Sequence, residues 1–204
     1  MDPVCIELHY LLVCPGFISR GLEKPTMTLV ILLSGRIGVG KDVVADIMCR
    51  DLGFVRHAFA DALKEDVADA TGLPLHFFND RDKKDTVLPG ACVTPRDLLI
   101  AHAIAAKTAD PEFYSRVILD RIKNSNQARH VISDWRFTSE EAHLIRELPD
   151  ARIVRVRVER PWLLHREPGS YLDSTTFVSR IINEGTLDDL RDEVIMKIRA
   201  VTGS

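Results

Sequence analysis

The chain has 204 residues, 46% of them hydrophobic and 28% charged, enough for one well-buried core and short for two. A formal net charge of -3 provides no global basic field, so nucleic acid is excluded as the default partner and any anion site must be built locally. Cys5, Cys14, Cys49 and Cys92 have neither zinc-type spacing nor the look of a secreted disulfide framework, which makes a reducing cytoplasm the expected compartment.

Residues 1–26 come before the organised pattern and read as an N-terminal extension of unknown role, with Met27 a candidate natural start. Cys5 to Val13 is apolar but interrupted by Glu7 and His9, too short and too polar to span a bilayer. Asp2 stands where a signal peptide would want basic residues. No membrane partner is expected.

Leu29 to Ser34 is an apolar run that reads as a buried strand, and it feeds Gly35-Arg-Ile-Gly-Val-Gly-Lys41-Asp42 and then a helix from Val43 to Asp51. The spacing Gly-x-x-x-x-Gly-Lys turns successive backbone N–H groups onto an anion, and Lys41 adds a point charge for terminal phosphates. A nucleoside triphosphate is therefore the expected ligand, with Gly35, Arg36, Gly38, Val39, Gly40, Lys41 and Asp42 around it. Asp42 occupies the place where Ser or Thr usually meets magnesium. An acid in the first turn of a helix is also favoured by the helix dipole alone, and both readings stay open.

Gly53 to Phe59 reads as a short second strand and Asp61 to Thr71 as a helix stopped by Gly72. Leu73 to Thr94 is a long connection with a charged knot, Asn79 to Asp85, read either as a rim over an acceptor site or as a surface loop. Thr94-Pro95 and Asp110-Pro111 then open two helices, Arg96 to Ala106 and Glu112 to Ile122, each with a capping side chain before a proline. The first is apolar over most of its length and is expected to pack deeply, with His102 as a satisfied core histidine. Arg96 opposes the dipole in a first turn, which points it at an anion or a carboxylate.

Arg129 to Asp134 is a short apolar run ending in a carboxylate, followed by Trp135-Arg136. Ligands of open α/β sheets gather at the carboxyl ends of strands, so Asp134 is a candidate for orienting magnesium or its waters, or else a capping or salt-bridged acid. Thr138-Ser-Glu-Glu141 opens a helix with a capping-box pattern, and Ala151 to Val158 alternates as a strand with one wetter face. Glu159 to Ser170 has the composition of a lid able to bring Arg160 and Arg166 over bound phosphates, or of a loop whose arginines touch water. A strand over Thr175 to Ile182, a turn at Asn183-Glu184-Gly185 and a helix from Thr186 to Val201 complete the chain. Strands alternating with helices after a phosphate loop imply a three-layer α/β/α sandwich with a parallel sheet, the P-loop NTPase class.

Together, Gly35 to Asp42, Ala62-Leu-Lys64-Glu65, Arg96, Val131-Ile-Ser-Asp134-Trp-Arg136 and Ile182-Asn183-Glu184-Gly185-Thr186-Leu187 resemble the deoxynucleoside monophosphate kinases of phages and large DNA viruses, from about Thr28 onward. Animal-type phosphomevalonate kinases are similar in the same places. The resemblance implies transfer from ATP, with Mg2+, to a deoxynucleoside monophosphate in the cytoplasm, that of a host if the protein is viral. It implies that Gly38, Gly40 and Lys41 hold the donor phosphates, that Asp42 and Asp134 organise the metal, and that Arg96, Arg136 and Lys64 hold the acceptor beside Asp134. It further implies that Arg160 and Arg166 close from a lid at about 159–173, that the acceptor region spans about 60–125, and that Asn183 to Gly185 lie near the donor base. The chain lacks the long insertion of some phage members before the arginine helix. Phosphomevalonate or another small-molecule acceptor is the alternative, as is a nucleotide-binding regulator with slow hydrolysis; a homodimer is left open.

Overall fold

A computed structural model describes residues 27–80, 82–88, 90, 92–163, 172 and 175–203. Its strands are β1 (Leu29–Ser34), β2 (Val55–His57), β3 (Arg129–Ile132), β4 (Arg152–Glu159) and β5 (Ser179–Ile182). Its helices are α1 (Lys41–Leu52), α2 (Phe59–Thr71), α3 (His76–Asn79), α4 (Pro95–Ala109), α5 (Phe113–Lys123), α6 (Thr138–Glu147) and α7 (Leu187–Thr202). The strands form one parallel sheet in the order β2-β3-β1-β4-β5.

Every residue of β1 is buried, as expected of a central strand covered on both faces. The alternation of strand side chains divides the core in two. Leu29, Ile31 and Leu33 face α1 and α7 through Val44, Met48, Val194 and Ile198. Val30 and Leu32 face the other layer, built from Phe59, Ile118, Leu119, Trp135 and Leu144. This is the three-layer α/β/α sandwich read from the sequence.

Several boundaries move for identifiable reasons. The expected strand at 175–182 is ordered as β only from Ser179, because Phe177 turns into the second core cluster with its ring 6.2 Å from Trp135. Helix α2 begins at Phe59 rather than Asp61, since the Asp134 carboxylate, 75 residues away, accepts the N–H groups of Phe59 and Ala60 at 2.9 and 2.8 Å. In α6 it is Glu140, not Glu141, that reaches back to the N–H groups of Arg136 and Phe137; Glu141 is buried and pairs with Arg155. The expectation that α4 packs deeply is overturned: only Pro95 of that helix is fully buried, and Ile100 and Ile104 are exposed. His102 is correspondingly half-buried, and it is satisfied by Asp66 at 2.7 Å.

Candidate active site

The phosphate loop lies where β1 ends and α1 begins, and its shape needs glycine at two places. A Cβ on Gly35, at φ 152°, would stand 2.3 Å from the Val158 carbonyl oxygen of β4. Gly40 caps α1 with φ 98°, and a Cβ there would meet the Asn183 amide at 2.5 Å. Both close approaches let neighbouring strands press on the loop and fix it. Asn183 donates from Nδ2 to the Val39 carbonyl at 2.8 Å, and its own N–H bonds the Glu159 carbonyl at 2.8 Å. Asn183 thus braces the loop from the end of β5.

A cavity of about 670 Å3 opens above the carboxyl ends of the strands. Its size falls within the usual range for small-molecule sites. Gly38, Gly40, Lys41 and Asp42 line it on the loop side, Asn183 and Gly185 beside them, and Lys64, Asp134, Arg136 and Arg160 on the other walls. Most of the assigned residues are therefore brought to one place. Arg36 and Val39 instead line a smaller cavity of about 200 Å3 against β4, which Arg160 also borders. Arg166 lies outside the described residues, as does most of the expected lid. Arg96 does not line the large cavity; its guanidinium grips Asp85. The first-turn argument correctly gave it a carboxylate, but the acceptor role does not follow from its position.

The electrostatics sort the cations into paired and unpaired. Lys41 folds back on its own loop, donating from Nζ to the carbonyls of Gly35 at 2.8 Å and Arg36 at 3.0 Å. These are neutral partners that a phosphate can outcompete. Arg56, in the middle of β2, was not singled out from the sequence. It bonds Asp42 at 3.0 Å and Ser133 Oγ at 3.2 Å and lies 3.6 Å from Asp61, which in turn holds Lys64 at 2.9 Å. An ion-pair chain thus runs from Asp42 to Lys64 along the cavity wall. Its only signal in the sequence is an arginine inside a short strand just after the loop helix. Among the described residues Arg136 forms no salt bridge, though its charge acts on Asp134, and the Nε of Arg160 is buried without a hydrogen-bond partner.

Asp134 already accepts two backbone N–H groups, yet burial raises its carboxyl above the ordinary range. Glu140, in the first turn of α6, is pushed up to about 7 by the same cause. Each Asp134 oxygen keeps a lone pair, so with Asp42 it supplies hard oxygen donors of the kind magnesium takes, one or two carboxylates completed by phosphate and water. The donor set fits that ion provided that Asp42 is shared with Arg56. No group of three or more His, Cys, Asp or Glu suited to a metal exists among the described residues, and none of their helices is long and apolar enough to cross a membrane.

The parallel sheet, the loop after β1 and the cavity at the strand ends define an α/β P-loop nucleotide-binding fold. Among solved structures, TT1252 from Thermus thermophilus is similar at 16% identity and a TM-score of 0.51, covering 87% of this chain and 97% of its own. Dephospho-CoA kinase from Campylobacter jejuni overlaps at 18% identity and a TM-score of 0.46, covering 85% of this chain and 97% of its own. APS kinase CysC from Mycobacterium tuberculosis overlaps at 14% and 0.45, covering 84% and 97%. At these identities the first overlap speaks to the fold alone, and the two weaker ones carry no argument. No family model matches the chain, and no curated sequence does.

Proposed function

We propose that the chain is a P-loop kinase that moves the terminal phosphoryl group of ATP to a deoxynucleoside monophosphate, giving the diphosphate. The observation that carries this is one cavity running from Gly38, Gly40 and Lys41 to Arg136 and Arg160, a second set of cations that form no salt bridge among the described residues. A loop that only binds a nucleotide needs one anion site; transfer between two phosphates needs two. The buried, partnerless Nε of Arg160 is a donor in want of an anion, which fits a phosphate between the halves.

The residues have little bond chemistry to perform. An acceptor phosphate oxygen is already anionic at neutral pH, so its bond to the terminal phosphorus forms as the bridge to ADP breaks, with alignment and charge neutralisation supplying most of the effect. Lys41 moves from its loop carbonyls to the donor phosphates, Arg136 holds the acceptor, and Arg160 spans the two. Magnesium, held by Asp42 and Asp134, would neutralise charge on the donor phosphates. Phe78 and Asn79 on the cavity wall supply an apolar face and an amide suited to a base edge, which favours a nucleotide over an isoprenoid acceptor.

The test is ADP release from ATP with each of the four deoxynucleoside monophosphates, their ribonucleotide counterparts and phosphomevalonate. Acceptor-stimulated ADP with one or more deoxynucleotides is the expected result. Stimulation by phosphomevalonate alone moves the reading to that alternative, and ATP binding with no stimulated release moves it to a regulator.

A further inference from the structure

The geometry points to Lys84, not Arg96, as the ligand that joins Arg136 on the acceptor's phosphate, with Arg96 as a positioning residue that seats Lys84 by way of Asp85. This rests on the transfer reading above. Lys84 comes from the charged knot between α3 and α4 and lines the large cavity close in sequence to Phe78 and Asn79, which line it too. Its side chain is half-buried and forms no ion pair among the described residues, whereas its exposed neighbour Lys83 pairs with Asp80 at 3.6 Å. The nearest carboxylate to act on it, Asp85, is already taken up by Arg96, so the Lys84 ammonium is left to meet an anion in the cavity, and it is a compact point charge suited to a phosphate monoester.

Arg96 clamps this position twice. Its backbone N–H donates to the Lys84 carbonyl at 2.9 Å, and its guanidinium takes Asp85 through both oxygens, Nη2 to Oδ2 at 3.0 Å. The Arg96 pairing holds the Asp85 carboxyl below the usual carboxylate range. On the other side the Lys84 N–H bonds the Asp80 carbonyl at 3.1 Å, and the Asp80 carboxylate accepts from the N–H of Asp82 at 2.9 Å and of Lys83 at 3.3 Å. The loop is therefore a closed turn pinned to the first turn of α4, and Lys84 projects from it into the cavity. For Arg96 to bind phosphate itself, it would have to leave Asp85 and release the residue that already lines the site. Of the other cations on that wall, Lys64 and Arg56 share Asp61, which leaves Lys84 to meet the acceptor's phosphate together with Arg136.

The experiment uses the full chain with MgATP and each deoxynucleoside monophosphate, read both as ADP release and, without ATP, as calorimetric binding of the monophosphate. Lys84→Gln is expected to weaken monophosphate binding and raise the acceptor KM about tenfold or more while the KM for ATP stays within about twofold, and Lys84→Arg is expected to recover part of the loss. Arg96→Ala and Asp85→Ala are expected to fall equally, the double variant no further, and the exchange Asp85→Arg with Arg96→Asp to restore most of the activity. A neutral Asp85→Ala beside a crippled Arg96→Ala, or an unchanged Lys84→Gln, overturns the inference and leaves the transfer reading standing. Binding that depends on Lys84 without any ADP release overturns transfer and leaves the anion site. Absence of both binding and turnover in the unaltered chain overturns the two together.

Discussion

The two halves of the cavity are built by different physics. On the donor side, the loop is held by backbone: Gly35 lies under the Val158 carbonyl, Gly40 is against Asn183, and the strands beneath are covered by α1 and α7. On the acceptor side, Arg56, Asp61, Lys64, Asp85 and Arg96 are tied by side-chain ion pairs that are half-exposed or exposed, and Arg56 carries one such pair across to Asp42 of the loop. Each such pair contributes little on its own. Packing makes one half rigid, while the other depends on salt-sensitive pairs that can exchange partners when an anion arrives.

The largest expected effect is on the donor side. Lys41→Ala should lower ATP-dependent turnover by about 10² to 10⁴, the range for a lost transition-state donor, and leave thermal stability nearly unchanged, because the loop carbonyls that Lys41 bonds, those of Gly35 and Arg36, are neutral and lie at a part-exposed site. Steady-state ADP release and a melting curve decide it. Turnover within tenfold of the unaltered chain would show that the loop does not hold the reacting phosphates.

Acid should separate the halves next. His57 of β2 faces His130 of β3, Nε2 to Nδ1 at 3.1 Å, and His130 Nε2 donates to the Gln127 carbonyl at 3.0 Å, so both rings are neutral in a closed chain of hydrogen bonds. Burial first, then His130 and Arg121, lowers the His57 pKa to about 4, and burial lowers that of His130. A base whose folded pKa is depressed takes its proton in the unfolded chain first. Its stabilisation is thus full above the unfolded value near 6.5 and is lost as pH falls from about 6.5 toward 4. Urea denaturation should show a loss of about 2 kcal/mol between pH 7 and pH 5 from His57 alone, abolished in His57→Gln. The donor-side cluster contains no histidine among the described residues, so a flat profile would remove this asymmetry.

Helix caps give a smaller, matched pair. Thr94 on α4 and Thr186 on α7 make the same box, each accepting from the N–H three residues on while Asp97 or Asp189 reaches back at 2.8 Å. Thr186→Ala should lower global stability by about 1 kcal/mol, since α7 buries Leu190, Val194 and Ile198. Thr94→Ala should move the global transition by less than about 0.5 kcal/mol and instead speed amide exchange in α4, whose unfolding releases little of the core. Equal global losses would mean that α4 is as integral as α7.

What was legible follows the same division. The loop, β1, the caps at Thr94 and Thr186 and the layer order are local patterns of glycine, proline and apolar period, and they stand in the structure as read. By contrast, α5 starts at Phe113 beyond the expected Asp110-Pro111 cap, and the α6 box falls on Glu140. The far ends of contacts are not local. Nothing near Phe59 announces that Asp134 will cap its helix, nothing near Arg56 shows that Asp42 and Asp61 flank it, and Lys84 is one charge among several in a knot until the turn at Asp80 aims it. Apolar composition misled at α4, where Ile100 and Ile104 lie on a face that no element among the described residues covers. Periodicity shows that a helix has an apolar side but not that a partner exists for it.

That face supports the smallest prediction. Ile104 is 62% exposed and Ile118 of α5 is fully buried, although both are isoleucines inside helices of one layer. Removing Ile118 to Ala should take about 2 to 5 kcal/mol from the unfolding free energy, the transfer term plus the cavity left between α5 and the sheet. Ile104→Ser removes no comparable buried area and swaps residues of nearly equal helix propensity, so a change within about 0.5 kcal/mol is expected. Denaturant melts at two protein concentrations read the difference. A loss above about 1.5 kcal/mol that grows with concentration would mean that a second copy covers Ile100 and Ile104 in solution, and α4 would then be held from outside the chain as firmly as α7 is from within.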